Sequence, residues 1–107
     1  MAASYEAGTS YKVPLDELRA AVVKAAERVG WGGLADTDRG FKFTIGINFW
    51  SWGENITIAL DDAGTVTVKS VCSFPLQIFD WGKNRKNVQR FFACLSLLLI
   101  EQKLGLT

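Results

Sequence analysis

From Phe41 onward, Phe41, Phe43, Ile45, Ile47 and Phe49 alternate with Lys42, Thr44, Gly46, Asn48 and Trp50. A period of two is that of a strand with one apolar face and one wet face. Ile56, Ile58 and Leu60 repeat the pattern, and Asp61-Asp62-Ala63-Gly64 signals a turn. Val66 and Val68 then open a further strand whose inner register continues at Ser70 and Cys72. Three consecutive strands with tight links predict an antiparallel meander. Pro75 lacks an N–H donor and discourages a continued central strand.

Two stretches follow the helical period instead. After Pro14, with Asp16 and Glu17 suited to the positive end of a helix, Leu15, Leu18, Val22, Ala25, Ala26 and Val29 share one face. Gly30 supplies the stop. The last element runs from about Asn84 to Leu104. At about 100° per residue from Val88, Phe91, Phe92, Leu95, Leu98, Leu99 and Gln102 fall within roughly 80° of it, the face expected to cover the sheet. Thr9 to Val13 suggests a short edge strand, and residues 31–38 have room for another.

These elements predict a single α+β domain over residues 1–107. Two layers are expected: an antiparallel meander of three to five strands, with an N-terminal and a C-terminal helix packed on one face. The other face, with Lys42, Thr44, Asn48, Trp50, Thr57, Thr67 and Lys69, is left to water or a partner.

Composition narrows the chemistry. The apolar content of 49% in 107 residues suffices for one core. Twelve basic against eleven acidic residues leave a net charge of +1, with no broad attraction for nucleic acid or an anionic membrane. The start, MAASYEAG, lacks the basic and apolar parts of a secretion signal, and no segment approaches the ~20 apolar residues of a membrane span. A cytoplasmic protein is the expectation. The chain contains no histidine, so Ser-His, Cys-His and histidine-ligated metal chemistry are excluded within it. Cys72 and Cys94 lack metal-site spacing and read as two buried thiols. No metal or other cofactor is expected. Asn55-Ile56-Thr57 matches a glycosylation acceptor, but its strand position and the missing signal make it a coincidence of spacing.

Two dense stretches remain. In NFWSWGENI, residues 48–56, Gly53 permits a turn and Glu54 stays wet beside it. The alternative is a carboxylate-dependent enzyme in which Glu54 and Asp80 converge near Trp50, Trp52 and Trp81. In FDWGKNRKNVQR, residues 79–90, Lys83, Arg85, Lys86 and Arg90 cluster where the helix dipole disfavours positive charge. A small ligand or anion held by these cations and the nearby tryptophans would relieve that conflict. Capping by Asp80 or Asn84, with the cations solvated, explains the same residues without a ligand. RNA recognition would need exposed stacking rings, which only Trp81 and Trp50 offer, so nucleic acid is a minor alternative.

The last helix carries a second apolar seam. Ala93, Leu97, Ile100 and Leu104 fall about 120° to 180° from Val88, away from the core face. The first 13 residues or the helix over 15–29 would cover the seam within one chain; otherwise a second copy or another protein would do so.

The stretches FWSWGENITI at 49–58 and SFPLQIFDWGKNRKNVQRFF at 73–92 resemble a family of small, mainly bacterial α+β domains of unassigned function. Ser51, Trp52, Gly53 and Glu54 match its S-W-G-E turn; Asp80, Trp81, Gly82, Lys83 and Asn84 match the D-W-G-K-N stretch leading into its last helix. The resemblance implies the order helix, meander, helix, and carries over no catalytic residue, cofactor or substrate. It raises a structural latch in which the two W-G turns meet at one end of the sheet and Glu54 pairs with Lys83 or an exposed N–H. The expectation from all this is a non-catalytic interaction module, self-associating or protein-binding, whose contact surface is the second seam or the open sheet face.

Overall fold

Within the described residues both periodicities become the elements they predict; the expected continuation of the Phe41 alternation through Ile47 and Phe49 lies outside them. In the computed structural model, residues 4–37, 40–45, 54–72, 82–103 and 105 are described; the side chains of Thr44, Ile45, Glu54, Cys72 and Lys83 lie outside that description. The elements are β1 (Ser4–Ser10), α1 (Leu15–Arg28), β2 (Gly32–Thr37), β3 (Gly40–Ile45), β4 (Glu54–Leu60), β5 (Thr65–Cys72) and α2 (Lys83–Lys103). The strands form one sheet in the order β1-β5-β4-β3-β2, antiparallel at every junction. The chain is thus α+β, with the meander running from β2 to β5. The strand before α1 lies at Ser4–Ser10 rather than Thr9–Val13, because its partner is β5 and the pairing starts at Ser4 opposite Val71.

Register follows the alternation. Phe41 faces Ile58, Phe43 faces Ile56, Ile58 faces Val68 and Leu60 faces Val66, and all of these side chains are buried. On the other face Lys42, Thr57 and Lys69 are exposed, with Glu6 of β1 opposite Lys69. The β4–β5 turn is closed by Asp61, whose Oδ1 accepts from the N–H groups of Ala63 and Thr65 at 2.9 Å each. Gly64 is required there: its φ is +86°, and a Cβ would collide with the carbonyl oxygen of Tyr11.

Both helices bury their apolar faces in one core with the sheet. From α1 come Leu18, Ala21, Val22, Ala25 and Ala26; from α2 come Val88, Phe91, Leu95 and Leu98. Arg19 of α1 lies over the Phe41 ring of β3, while Tyr11, after β1, bonds Ser96 of α2 at 3.1 Å. The expected faces need trimming at their margins. Leu15 and Gln102 are exposed, and Val29, Phe92 and Leu99 are half-buried. These residues sit at helix ends or at the edge of the apolar stripe, where the sheet no longer covers them.

Gly30 ends α1 as expected, at φ +85°. The N–H of Gly30 bonds the Glu27 carbonyl and that of Trp31 bonds the Ala26 carbonyl, the paired bonds of a left-handed helix stop. This reversal turns Trp31 into the core, where it stacks on Phe91 at 5.1 Å and 6° and tilts against Phe43 at 5.8 Å. Trp31 therefore belongs to the core and not merely to an added strand. Cys94 is half-buried rather than buried. Among the described residues, no helix is long and apolar enough to cross a membrane.

Candidate functional site

Three places on the molecule concentrate chemistry, and the first is buried. Ser70 continues the inner register of β5, where Val66 and Val68 precede it, and its side chain is fully covered. Its hydroxyl donates to Asn84 Oδ1 at 2.7 Å and accepts from Asn87 Nδ2 at 3.2 Å. The residues Asn84 and Asn87, three apart on α2, thus straddle one hydroxyl of the sheet. Asn84 does not cap α2: it lies inside the helix with its side chain turned to the sheet. The signal was present in the sequence. At about 100° per residue, Asn84 and Asn87 fall on the same face as Val88 and Phe91, and only their polarity disguised them as surface residues. Both of these partners are amides, which hold the hydroxyl in place and are not bases, so the two bonds position α2 on the sheet.

The second place is the start of α2. Arg85, Lys86 and Arg90 are exposed, and the first turn contains no acidic residue. By helical position Arg85 lies about 100° from Lys86, while Lys86 and Arg90 share a row. The described cations therefore fan over the helix rather than converge on one point. Trp50, Trp52, Asp80 and Trp81 lie outside the described residues. Glu54 is the first residue of β4, paired with Ile45 and Cys72, and not part of the turn itself. Its strand position follows from antiparallel pairing, which reaches two residues before Ile56. Glu54 pairs with Cys72, and Ser70, two residues earlier on β5, holds Asn84; the meeting of the two W-G turns themselves lies outside the described residues. The contact of Glu54 with Lys83, and the convergence of Glu54 with Asp80, lie outside the described residues. Among those residues no cluster of three His, Cys, Asp or Glu side chains gathers for a metal ion.

The third place is the far half of α2. Ala93, Leu97 and Ile100 are exposed, Leu97 by 53% and Ile100 by 55%, while Leu104 lies outside the described residues. Among the described residues, α1 and the segment up to Val13 leave Leu97 and Ile100 more than half open to solvent, so the coverage expected from within the chain is only partial there. Glu101 flanks the ridge and meets Arg28 of α1 at 3.7 Å, with 24% and 43% of their side chains exposed. On the other flank a groove of about 600 Å³ opens between the β1–α1 link and α2, walled by Tyr11, Val13, Leu99 and Ile100 and rimmed by Lys12 and Lys103. Its volume lies within the range of small-molecule sites. Nothing in the sequence pattern marked it, because its walls come from segments more than 80 residues apart that meet through the Tyr11–Ser96 bond.

Comparison with family models, curated proteins and solved structures finds no significant match to this chain.

Proposed function

We propose that this chain is a non-catalytic interaction module that associates with a second copy of itself through the outer ridge of α2. The observation that carries the reading is the exposure of Leu97 and Ile100, each more than half open to solvent, with exposed Ala93 one turn before. Single exposed apolar side chains are ordinary on soluble proteins; three in register on one helix face form a stripe that association removes from water. The lack of histidine in the sequence and the engagement of the Ser70 hydroxyl by two amides support binding over catalysis. A cytoplasmic setting belongs to the same reading, since it keeps the half-buried Cys94 thiol reduced.

Sedimentation equilibrium tests it. The wild-type chain is expected to form a dimer by about 100 μM, a concentration at which an interface with a Kd of tens of micromolar is largely assembled. Leu97→Glu combined with Ile100→Glu is expected to give a monomer with unchanged far-UV circular dichroism, because both side chains leave the core untouched. A wild-type monomer throughout that range would sink the proposal.

A further inference from the structure

Resting on self-association through α2, we infer that the two copies pair their α2 helices antiparallel, with a two-fold axis near Cys94–Ser96 and Arg90 of each copy against Glu101 of the other. The arrangement follows from where charge lies along and beside the ridge. At about 100° per residue, Lys86, Ala93, Leu97 and Ile100 define the ridge line, and Arg90 and Glu101 both lie on its same side. They are eleven residues apart, close to three full turns and about 16 Å along the axis.

Helix direction decides which flanks meet. When two copies of a helix pack parallel about a two-fold axis, each flank faces the opposite flank of the other copy, and equal heights meet. Lys86, on the ridge line, would then crowd Lys86 of the second copy, while Arg90 would face the opposite flank near Gln89 and find no acidic partner. When the helices pack antiparallel, the same flanks face each other and heights are inverted about the axis. A two-fold axis midway between Arg90 and Glu101 brings these two opposite charges together twice, once at each end.

The remaining residues fit that register. Ala93 lies across from Leu97 of the second copy, so a small side chain receives a large one at the centre and the backbones approach closely. Lys86 reaches the C-terminal end of the opposing α2, where the helix dipole favours a cation. The crowding of positive charge at the start of α2, unfavourable within one chain, becomes favourable between two. Exposed Arg90 has its side chain available for this pairing, and half-buried Glu101, which meets Arg28 at a long 3.7 Å, keeps 24% of its side chain open to a second cation. The occupant is a second copy because the ridge itself carries both halves of the complementary charge pattern.

A charge-reversal cycle on the full-length chain, followed by sedimentation equilibrium, tests the geometry. Arg90→Glu and Glu101→Arg are each expected to weaken the dimer about tenfold, since each places like charges at both ends. The double variant is expected to return to within about threefold of wild type, because it restores opposite charges with their sign exchanged. Arg90→Gln separates the two directions: it weakens an antiparallel dimer, in which Arg90 meets Glu101, and leaves a parallel one, in which it meets Gln89, within about twofold of wild type. A dimer that depends on Leu97 and Ile100 but shows no rescue in the double variant would overturn the antiparallel register while leaving self-association intact. A monomeric wild type would remove both. A heterologous partner that binds the monomeric chain at Leu97 and Ile100 would likewise overturn pairing with a second copy.

Discussion

Ser70 shows how a single hydroxyl fixes the seating of a helix on a sheet. It is fully buried among Val66, Val68 and the face of α2, where an unsatisfied polar group would be costly, yet it both donates to Asn84 and accepts from Asn87. These two bonds constrain rotation and sliding of α2 together, because they approach one oxygen from adjacent turns. Ser70→Ala removes a donor from Asn84 and an acceptor from Asn87 inside the core. It is expected to destabilise the chain by about 1–3 kcal/mol, seen as a lower urea midpoint with unchanged slope. The inner position of Ser70 was legible from the alternation that begins at Val66. Its partners were not, since a local rule assigns Asn at a helix start to capping, whereas here tertiary packing claimed Asn84 after the helix had already begun.

At the level of elements, periodicity located both helices and the three central strands to within a residue or two at most described boundaries. It failed where pairing or packing across the sheet decides the outcome. The first strand starts five residues earlier than its own polarity suggests because β5 offers it a partner from Ser4 onward. Trp31 follows a helix stop and looks like the opening of a strand, but the left-handed turn at Gly30 points it at Phe91. Its ring joins β3 and α2 through Phe43 and Phe91, while its backbone N–H bonds the Ala26 carbonyl of α1. Trp31→Ala is expected to cost about 3–5 kcal/mol, the range for removing a large aromatic from a core, and to lower the thermal midpoint accordingly. Trp31→Phe keeps a stacking ring and is expected to recover most of that loss. If the alanine variant melted with the wild type, Trp31 would not be the joint between these elements. The outer ridge of α2 was legible at the same level, since the helical period that assigns Phe91 and Leu95 to the core also turns Leu97 and Ile100 away from it.

For the molecule as a whole, both helices lie on one face of a five-stranded sheet, and the exposed apolar ridge lies on the far side of α2 from that sheet. The proposed interface there would leave the open face with Lys42, Thr57 and Lys69 in water and would touch the contacts that fold the chain only at Glu101, which also meets Arg28 of α1. Such an interface would link folding to association by mass action: a second copy that binds only the native chain stabilises it more as concentration rises. At about 0.7 kcal/mol of unfolding enthalpy per residue, two chains of 107 residues absorb about 150 kcal/mol. With that enthalpy, each tenfold rise in concentration above the dissociation constant raises the melting temperature of a dimer by about 3 °C. Calorimetry from about 10 to 1,000 μM, which spans the assembly range proposed above, is expected to show this drift for the wild-type chain. The paired change of Leu97→Glu and Ile100→Glu is expected to abolish it, leaving one melting temperature at all concentrations. Ser70→Ala is expected to lower the whole curve while keeping its slope, because its defect lies between α2 and the sheet rather than between copies. A wild-type melting temperature that stayed constant over the same range would show that folding proceeds without a second copy and that the ridge is not the surface joining two chains.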